Sequence, residues 1–372
     1  PANKQGRIVA NNIAGREDFY KGSQGTSVLK IFEMTVATTG ANERLLQAEG
    51  IDYQSIIIHP NAHAGYYPGA TPISLKLLFN KEGRILGAQA VGYSGVEKRI
   101  DILAAALRSG QTVKDLQGLE LAYAPPYSSA KDPVNMAGYV ANNVLIGDYF
   151  PIRAEELVHG VGDNVQILDV REREENELGK IPGSIHIPLG ELRSQLDKLD
   201  RNKEIVTYCS VGLRSYLASR ILYHNGFNKV RNLNGGYRTY QALRNEAENK
   251  IDQTLTPDSV KQTAETAAID EPCATIKLDL CGLQCPGPII KVYQRMESLP
   301  EGAVVEVCAT DPGFSSDIAS WCQRTGNTLL NRGHDGKGFT ARIRKGSVGS
   351  TVLPASPEVP ASAGPNHVEN DK

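Results

Sequence analysis

The sequence predicts a multidomain protein of mixed α/β and α+β class, and three observations carry that reading. At 372 residues the chain exceeds what one ordinary hydrophobic core organises. Its apolar pattern changes character twice, from hairpin-like alternation to short buried strands between amphipathic helices, and then to a compact βαβαββ order. The stretch before the last unit and the stretch after it lose apolar periodicity, as a linker and a tail do.

The first block, residues 1–150, reads as α+β. Ile73, Leu75, Leu77 and Phe79 alternate with Ser74 and Lys76, the chain turns at Lys81-Glu82-Gly83-Arg84, and Ile85 to Tyr93 returns as the second arm of a hairpin. Val96, Ile100, Leu103 and Leu107 then recur at helical spacing, with Gly110 as the stop. Val28 to Val36 and Ile51 to His59 add strands around a short helix. The chain opens Pro1-Ala2-Asn3-Lys4 without an initiator Met, and it is expected to enter strand-rich structure almost at once, as a fragment or a processed product does.

The second block, residues 151–250, reads as a small doubly wound parallel domain. Val165 to Val170 and Glu204 to Tyr208 have the near-continuous apolar character of strands buried on both faces, each followed by a polar loop and a helix. Residues 251–274 read as a linker. The third unit, residues 275–346, takes strand Ile276–Leu280, helix Pro286–Leu299, strand Val304–Ala309, helix Phe314–Arg324 and two short strands, an order suited to a two-layer sandwich. Residues 347–372 are rich in Ser, Pro and Ala and are expected to be disordered.

Composition narrows the function classes. The chain is 40% hydrophobic and 22% charged, with a formal net charge of -2, so nothing in it points to nucleic acid or a membrane surface as partner. No apolar run reaches the roughly 20 residues of a membrane span, and the N-terminus lacks signal-peptide order, which places the protein in the cytosol. Six cysteines, Cys209, Cys273, Cys281, Cys285, Cys308 and Cys322, crowd into the C-terminal half. In a reducing compartment such thiols are reactive, metal-bound or buried rather than structural disulfides.

Cys209-Ser210-Val211-Gly212-Leu213-Arg214-Ser215 follows a buried strand and opens a helix. A cysteine there faces backbone N–H groups and the positive end of the helix, which favour an anionic sulfur. These residues resemble the rhodanese family, and the resemblance extends over roughly residues 154–247. It includes Leu168-Asp169-Val170-Arg171-Glu172, Ile181-Pro182-Gly183-Ser184-Ile185 with Ile187-Pro188, and Asn234-Gly235-Gly236-Tyr237. It implies that Cys209 takes sulfane sulfur as a persulfide while Arg214 and the loop Ser210, Val211, Gly212, Leu213 and Ser215 cradle the anion. Cysteine phosphatases are the rival, but their signature places five residues between cysteine and arginine, whereas only Ser210 to Leu213 intervene here. Lys180 stands where many rhodaneses have His, which leaves the donor open, and Asp169 with Arg171 reads as a structural pair.

Cys285-Pro286-Gly287-Pro288 takes a strand through a tight turn into a helix, with proline preorganised for the helix start and the cysteine at its positive end. The turn resembles the TusA-like sulfur-carrier family, and Ala309-Thr310-Asp311-Pro312-Gly313-Phe314 fits the same family. The resemblance implies that Cys285 carries a persulfide. Cys281, spaced C-x3-C from Cys285, is a candidate resolving thiol or one of a metal pair; a structural zinc site needs about four ligands and no second pair has convincing spacing, so no metal is assigned. Cys308, within a strand, and Cys322, beside Trp321, read as core.

In the first block, Tyr20 to Ser27, Thr38 to Glu43 and Tyr123-Ala124-Pro125-Pro126-Tyr127-Ser128-Ser129-Ala130-Lys131-Asp132-Pro133 resemble the C-terminal dimerisation domain of pyridine nucleotide-disulfide oxidoreductases, in the coenzyme A-disulfide reductase and NADH oxidase branch. The resemblance implies a homodimer through residues 1–150, with FAD and NAD(P)H in the parent enzyme rather than on this fragment, which has no Gly-x-Gly-x-x-Gly turn between a strand and a helix. Tyr66, Tyr67, Tyr123 and Tyr127 are candidates for tyrosines near a disulfide-forming sulfur, or for amphipathic packing at the dimer seam. Lys131 and Asp132 read as a helix-start feature, and His59 and His63 as strand-end and loop residues without function.

Together these readings describe sulfane-sulfur transfer and disulfide or persulfide reduction. Small thiols, persulfides or disulfides of the coenzyme A or glutathione type are the expected substrates, and a sulfur-acceptor protein is a candidate downstream partner. A dimerisation and docking scaffold without catalysis is the alternative.

Overall fold

The computed structural model describes residues 1–254, 275–283, 287–311, 314–334 and 338–346. The predicted linker lies outside the described residues except for 251–254, and so do the predicted tail, Cys273 and Cys285.

Helix α1 (Ala2–Ile13) comes first and buries none of its side chains, so the expectation that the chain enters strands at once is corrected. Its apolar positions, among them Val9 and Ile13, are exposed and give no burial signal to read. Strands β1 (Ser27–Ile31) and β2 (Met34–Gly40) form a hairpin where the sequence suggests one strand over Val28 to Val36. The turn is Phe32-Glu33, without the Gly, Asn or Asp that usually marks one, and Phe32 sits there at φ 51, almost fully solvent-exposed.

Helix α2 (Glu43–Ala48), capped by the Asn42 side chain, leads to β3 (Gln54–Ile58). Strands β4 (Ile73–Phe79) and β5 (Ile85–Gly92) are the predicted hairpin, and the antiparallel sheet runs β1-β2-β5-β4-β3. Ile73, Leu75, Leu77 and Phe79 are fully buried, packed with Val96, Ile100 and Leu103 of α3 (Val96–Arg108). Period-two and helical spacings thus meet on one core face. Helix α4 (Val113–Gln117) carries a Thr112–Asp115 capping box, and α5 (Pro133–Leu145) starts on Asp132, whose side chain accepts the Val134 N–H at 3.0 Å. Asp132 also pairs with buried Arg99 at 2.9 Å, and Ser128 donates to the same carboxylate at 2.6 Å. The Ser128-to-Pro133 motif is therefore the lock that holds α3 to α5.

The second sheet is wholly parallel, in the order β6-β10-β9-β7-β8. Its elements are β6 (Pro151–Ile152), α6 (Ala154–Val158), β7 (Val165–Asp169), α7 (Arg173–Glu177), β8 (Ile185–His186), β9 (Glu204–Tyr208), α8 (Leu213–His224), β10 (Val230–Leu233) and α9 (Gly236–Thr254). The third is mixed, β11-β12-β14-β13, with β11 (Ile276–Asp279) parallel to β12 (Val304–Ala309) and β13 (Thr328–His334) and β14 (Phe339–Arg344) antiparallel. Helices α10 (Gly287–Glu297) and α11 (Phe314–Thr325) cover one face over a core of Val292, Val305, Val307, Ile318, Trp321 and Ile343. The βαβαββ order and two-layer build are those the sequence predicts.

The first two units are joined by specific polar contacts. Asn234 accepts the Ile57 N–H at 2.7 Å and donates to the Ser55 carbonyl at 3.1 Å, so the open edge of β3 is capped by a side chain of the second unit. His59, just past β3, bridges Ser74 at 2.9 Å and Thr239 at 3.1 Å. Burial and the nearby Arg238 charge, against a hydrogen bond to the Gly235 carbonyl, lower its pKa to about 3. His59 is thus a neutral interior bridge rather than a strand-end bystander.

Candidate functional site

Cys209 follows the last residue of β9 and stands three residues before the last one preceding α8, Gly212. Gly212 adopts φ 111, a left-handed backbone that turns its N–H back onto the Cys209 Sγ at 3.2 Å. The Ser215 hydroxyl lies 3.5 Å from the same sulfur. Backbone N–H, hydroxyl and helix start therefore converge on one sulfur, an arrangement that stabilises negative charge there. Cys209 is buried, while Val211 and Leu213 on the loop's crest are exposed.

Arg214, in the first turn of α8, turns toward Glu175 of α7, donating at 2.5 and 2.7 Å, with a further bond to the Ser210 hydroxyl at 3.2 Å. Ser210 in turn donates to Glu175 at 2.5 Å. Burial pushes the Glu175 carboxyl up, but the Arg214 and Ser210 hydrogen bonds outweigh it and hold the group below its ordinary range. Glu175 is a residue the sequence reading missed. Its only sequence signal is its place at the third helical position after Glu172, whose N–H it accepts at 3.1 Å.

The other rhodanese-like motifs build the wall behind the loop. Tyr208, immediately before Cys209, donates to Asp169 at 2.8 Å and receives the Ile181 N–H at 3.2 Å. Arg171 pairs with Asp169 at 2.6 Å and lies over the Tyr237 ring at 4.3 Å, so Asp169 and Arg171 do form a structural pair. Gly236, at φ 65, brings its backbone against the loop so closely that a Cβ there would lie 2.6 Å from the Cys209 carbonyl. Tyr237 and Arg238 donate their N–H groups to the carbonyls of Cys209 and Ser210 at 2.8 and 3.1 Å. From the first unit, buried Tyr149 packs edge-on against Tyr216 of α8, and burial together with the Cys209 sulfur raises its phenol pKa.

Elsewhere, the Tyr66 and Tyr123 hydroxyls meet at 3.2 Å on the surface. Tyr67 lies edge-on to His63, and Tyr127 is exposed. Cys281 is exposed and its Sγ lies 3.4 Å from that of Cys308. Cys308 is half-buried on the sheet face away from the helices, which corrects its assignment to the core; Cys322 is buried, as expected. Among the described residues no group of three or more His, Cys, Asp or Glu side chains is placed to hold a metal ion, and no helix is long and apolar enough to cross a membrane.

Comparison with known proteins follows the same three units. Residues 26–133 match the pyridine nucleotide-disulphide oxidoreductase dimerisation domain, residues 153–243 the rhodanese-like domain and residues 276–345 sulfurtransferase TusA. Coenzyme A disulfide reductase from Staphylococcus haemolyticus is 41% identical over 145 residues, which are 38% of this chain and 32% of that protein. The crystal structure of reduced Bacillus anthracis CoADR-RHD is 48% identical, with a TM-score of 0.64 over 66% of this chain and 44% of that one. A NAD-dependent persulfide reductase from A. fulgidus is 45% identical, with a TM-score of 0.58 over 63% of this chain and 42% of its own. The chain thus spans about a third of that curated relative and under half of either solved structure. It is a pyridine nucleotide-disulphide oxidoreductase dimerisation domain followed by a rhodanese-like domain and a TusA-type domain.

Proposed function

We propose that this chain is the C-terminal part of a cytosolic, FAD-dependent NAD(P)H reductase of coenzyme A-type disulfides, persulfides or polysulfides, and that its rhodanese-like unit transfers sulfane sulfur through Cys209. In this reading the units are residues 1–150, 151–250 and 275–346, joined by a linker over 251–274 and followed by a tail over 347–372. The observation that carries it is the Gly212 N–H held 3.2 Å from the Cys209 sulfur at the start of α8. In the loading step the Cys209 thiolate attacks the outer sulfur of a small persulfide R–S–SH; the S–S bond breaks, RS⁻ leaves and Cys209 holds the persulfide. An acceptor thiolate then attacks that outer sulfur and restores the Cys209 thiolate. Ser210, Val211, Gly212, Leu213 and Ser215 form the cradle, and Arg214, tied to Glu175, fixes its shape.

Cys285 is the proposed exchange partner on the strength of its Cys-Pro-Gly-Pro motif. A tether between the two thiols raises their effective concentration to about the millimolar range for a flexible linker. Residues 1–150 pair with a second copy, a reading supported by the exposed Val28, Leu29, Ile31 and Phe32 at the hairpin tip and by the surface tyrosines Tyr66, Tyr67, Tyr123 and Tyr127. The parent reductase uses FAD and NAD(P)H.

The test offers glutathione persulfide with cyanide as acceptor and reads thiocyanate. The expected result is turnover that Cys209→Ser abolishes. Turnover in wild type no faster than the reaction without protein would return the chain to the scaffold reading, and equal catalysed turnover in Cys209→Ser would remove Cys209 as the sulfur carrier.

A further inference from the structure

The TusA-type unit contains a second sulfur pair that the Cys209 chemistry does not use. Strand β11 lies parallel to β12 with Asp279 opposite Cys308, and Leu280 donates its N–H to the Cys308 carbonyl at 2.8 Å. Cys281 follows in the turn just beyond β11, which brings its side chain beside that of Cys308. The turn is pinned from both ends: the Cys281 N–H bonds to Asp279 at 3.0 Å and the Gly282 N–H to the Thr310 hydroxyl at 2.8 Å. The two sulfurs are thereby held 3.4 Å apart, with Cys281 exposed and Cys308 partly so. A disulfide requires about 2.05 Å between sulfurs, an approach within reach of side-chain rotation.

We propose that Cys281 and Cys308 are a reversible dithiol–disulfide couple that exchanges with small disulfides, a second redox site alongside the Cys209 persulfide site. Burial, the Asp279 hydrogen bond and the Cys308 sulfur push the Cys281 thiol up to about 12, so Cys281 takes the resolving role and the first attack is assigned to Cys308. The Cys308 thiolate attacks one sulfur of RSSR, forming Cys308–S–SR and expelling RS⁻. That RS⁻ takes the Cys281 proton and leaves as RSH. The Cys281 thiolate then attacks the Cys308 sulfur, closing the Cys281–Cys308 bond and expelling the second RS⁻, which takes up the proton Cys308 had released. The two protein sulfurs are oxidised by two electrons and the small disulfide is reduced to two thiols.

The experiment treats the reduced full chain with glutathione disulfide, alkylates the remaining thiols and maps the peptides, in wild type and in Cys209→Ala so that the outcome is separable from the persulfide reaction. The expected result is joint loss of alkylation at Cys281 and Cys308, with one cross-linked peptide pair that a reductant reverses. Cys281→Ser should trap glutathione on Cys308, and Cys308→Ser should leave Cys281 free for alkylation. A cross-link from Cys281 to Cys285 or to another cysteine, or separate glutathione adducts on Cys281 and Cys308 in wild type, would overturn the pairing.

Discussion

Arg214 holds both carboxylate oxygens of Glu175, at 2.5 and 2.7 Å, beside the loop that carries Cys209. The pair links the start of α8 to α7, and Ser210 completes the triangle at 2.5 Å from Glu175. Glu175→Ala removes the close bidentate partner of Arg214 in a partly buried place and leaves it only the Glu172 carboxylate, 4.0 Å away. Breaking a fully buried pair costs about 3–5 kcal/mol, and the partial exposure of Arg214 reduces the expectation to about 2 kcal/mol. Urea unfolding measures this, and sulfur loading on Cys209 should slow in the same variant. The Glu175 contribution is present above the ordinary carboxylate range and is lost as pH falls through its lowered folded value.

The backbone at Gly212 gives a cleaner probe of the loop. A Cβ there meets nothing within 4 Å, so Gly212→Ala adds only the cost of holding φ 111, about 1–2 kcal/mol. The expected outcome is a folded protein in which relief of that strain turns the residue-212 N–H away from Sγ, and whose sulfur transfer falls about tenfold. At Gly236 the reverse holds: a Cβ would press the Cys209 and Ser210 carbonyls at 2.6 and 2.8 Å, and Gly236→Ala is expected to destabilise the unit by about 3 kcal/mol.

Acid should loosen the seam at His59. The unfolded histidine titrates near 6.5, whereas the folded one stays neutral down to about 3. Between those values the unfolded chain binds the extra proton, so stability falls by about 1.4 kcal/mol for each pH unit below 6.5. Hydrogen exchange at the Ile57 amide, which donates to Asn234, reads the seam locally. Its protection, corrected for intrinsic exchange, is expected to drop from about pH 7 to about pH 5.5 in wild type and to change little in His59→Gln.

Much of this was legible in the sequence because the signals are local. The hairpin of β4 and β5, the parallel strands β7 and β9 and the βαβαββ order follow from apolar period and turn residues within a short window. The position of Cys209 at a strand-to-helix turn is equally local. Glu175, Asn234 and Tyr149 acquire their roles only when distant segments meet, so nothing beside them in the chain announces those roles. Cys308 reads as core in the sequence because it lies within an apolar strand; only the register with Asp279 places its sulfur next to Cys281. The β1–β2 turn is hidden for the opposite reason, since exposed apolar Ile31, Phe32 and Met34 flank the single charged residue Glu33 and the stretch lacks the Gly, Asn, Asp or Pro of a usual hairpin turn.

The central claim is that Cys209 carries sulfane sulfur. Peptide-resolved mass spectrometry of the reduced chain after exposure to glutathione persulfide, with Cys209→Ala and Cys285→Ala in parallel, tests it most directly. The account predicts one added sulfur on the Cys209 peptide, and sulfur on Cys285 that depends on Cys209; a Cys209 peptide that stays unmodified while the donor is consumed would contradict it.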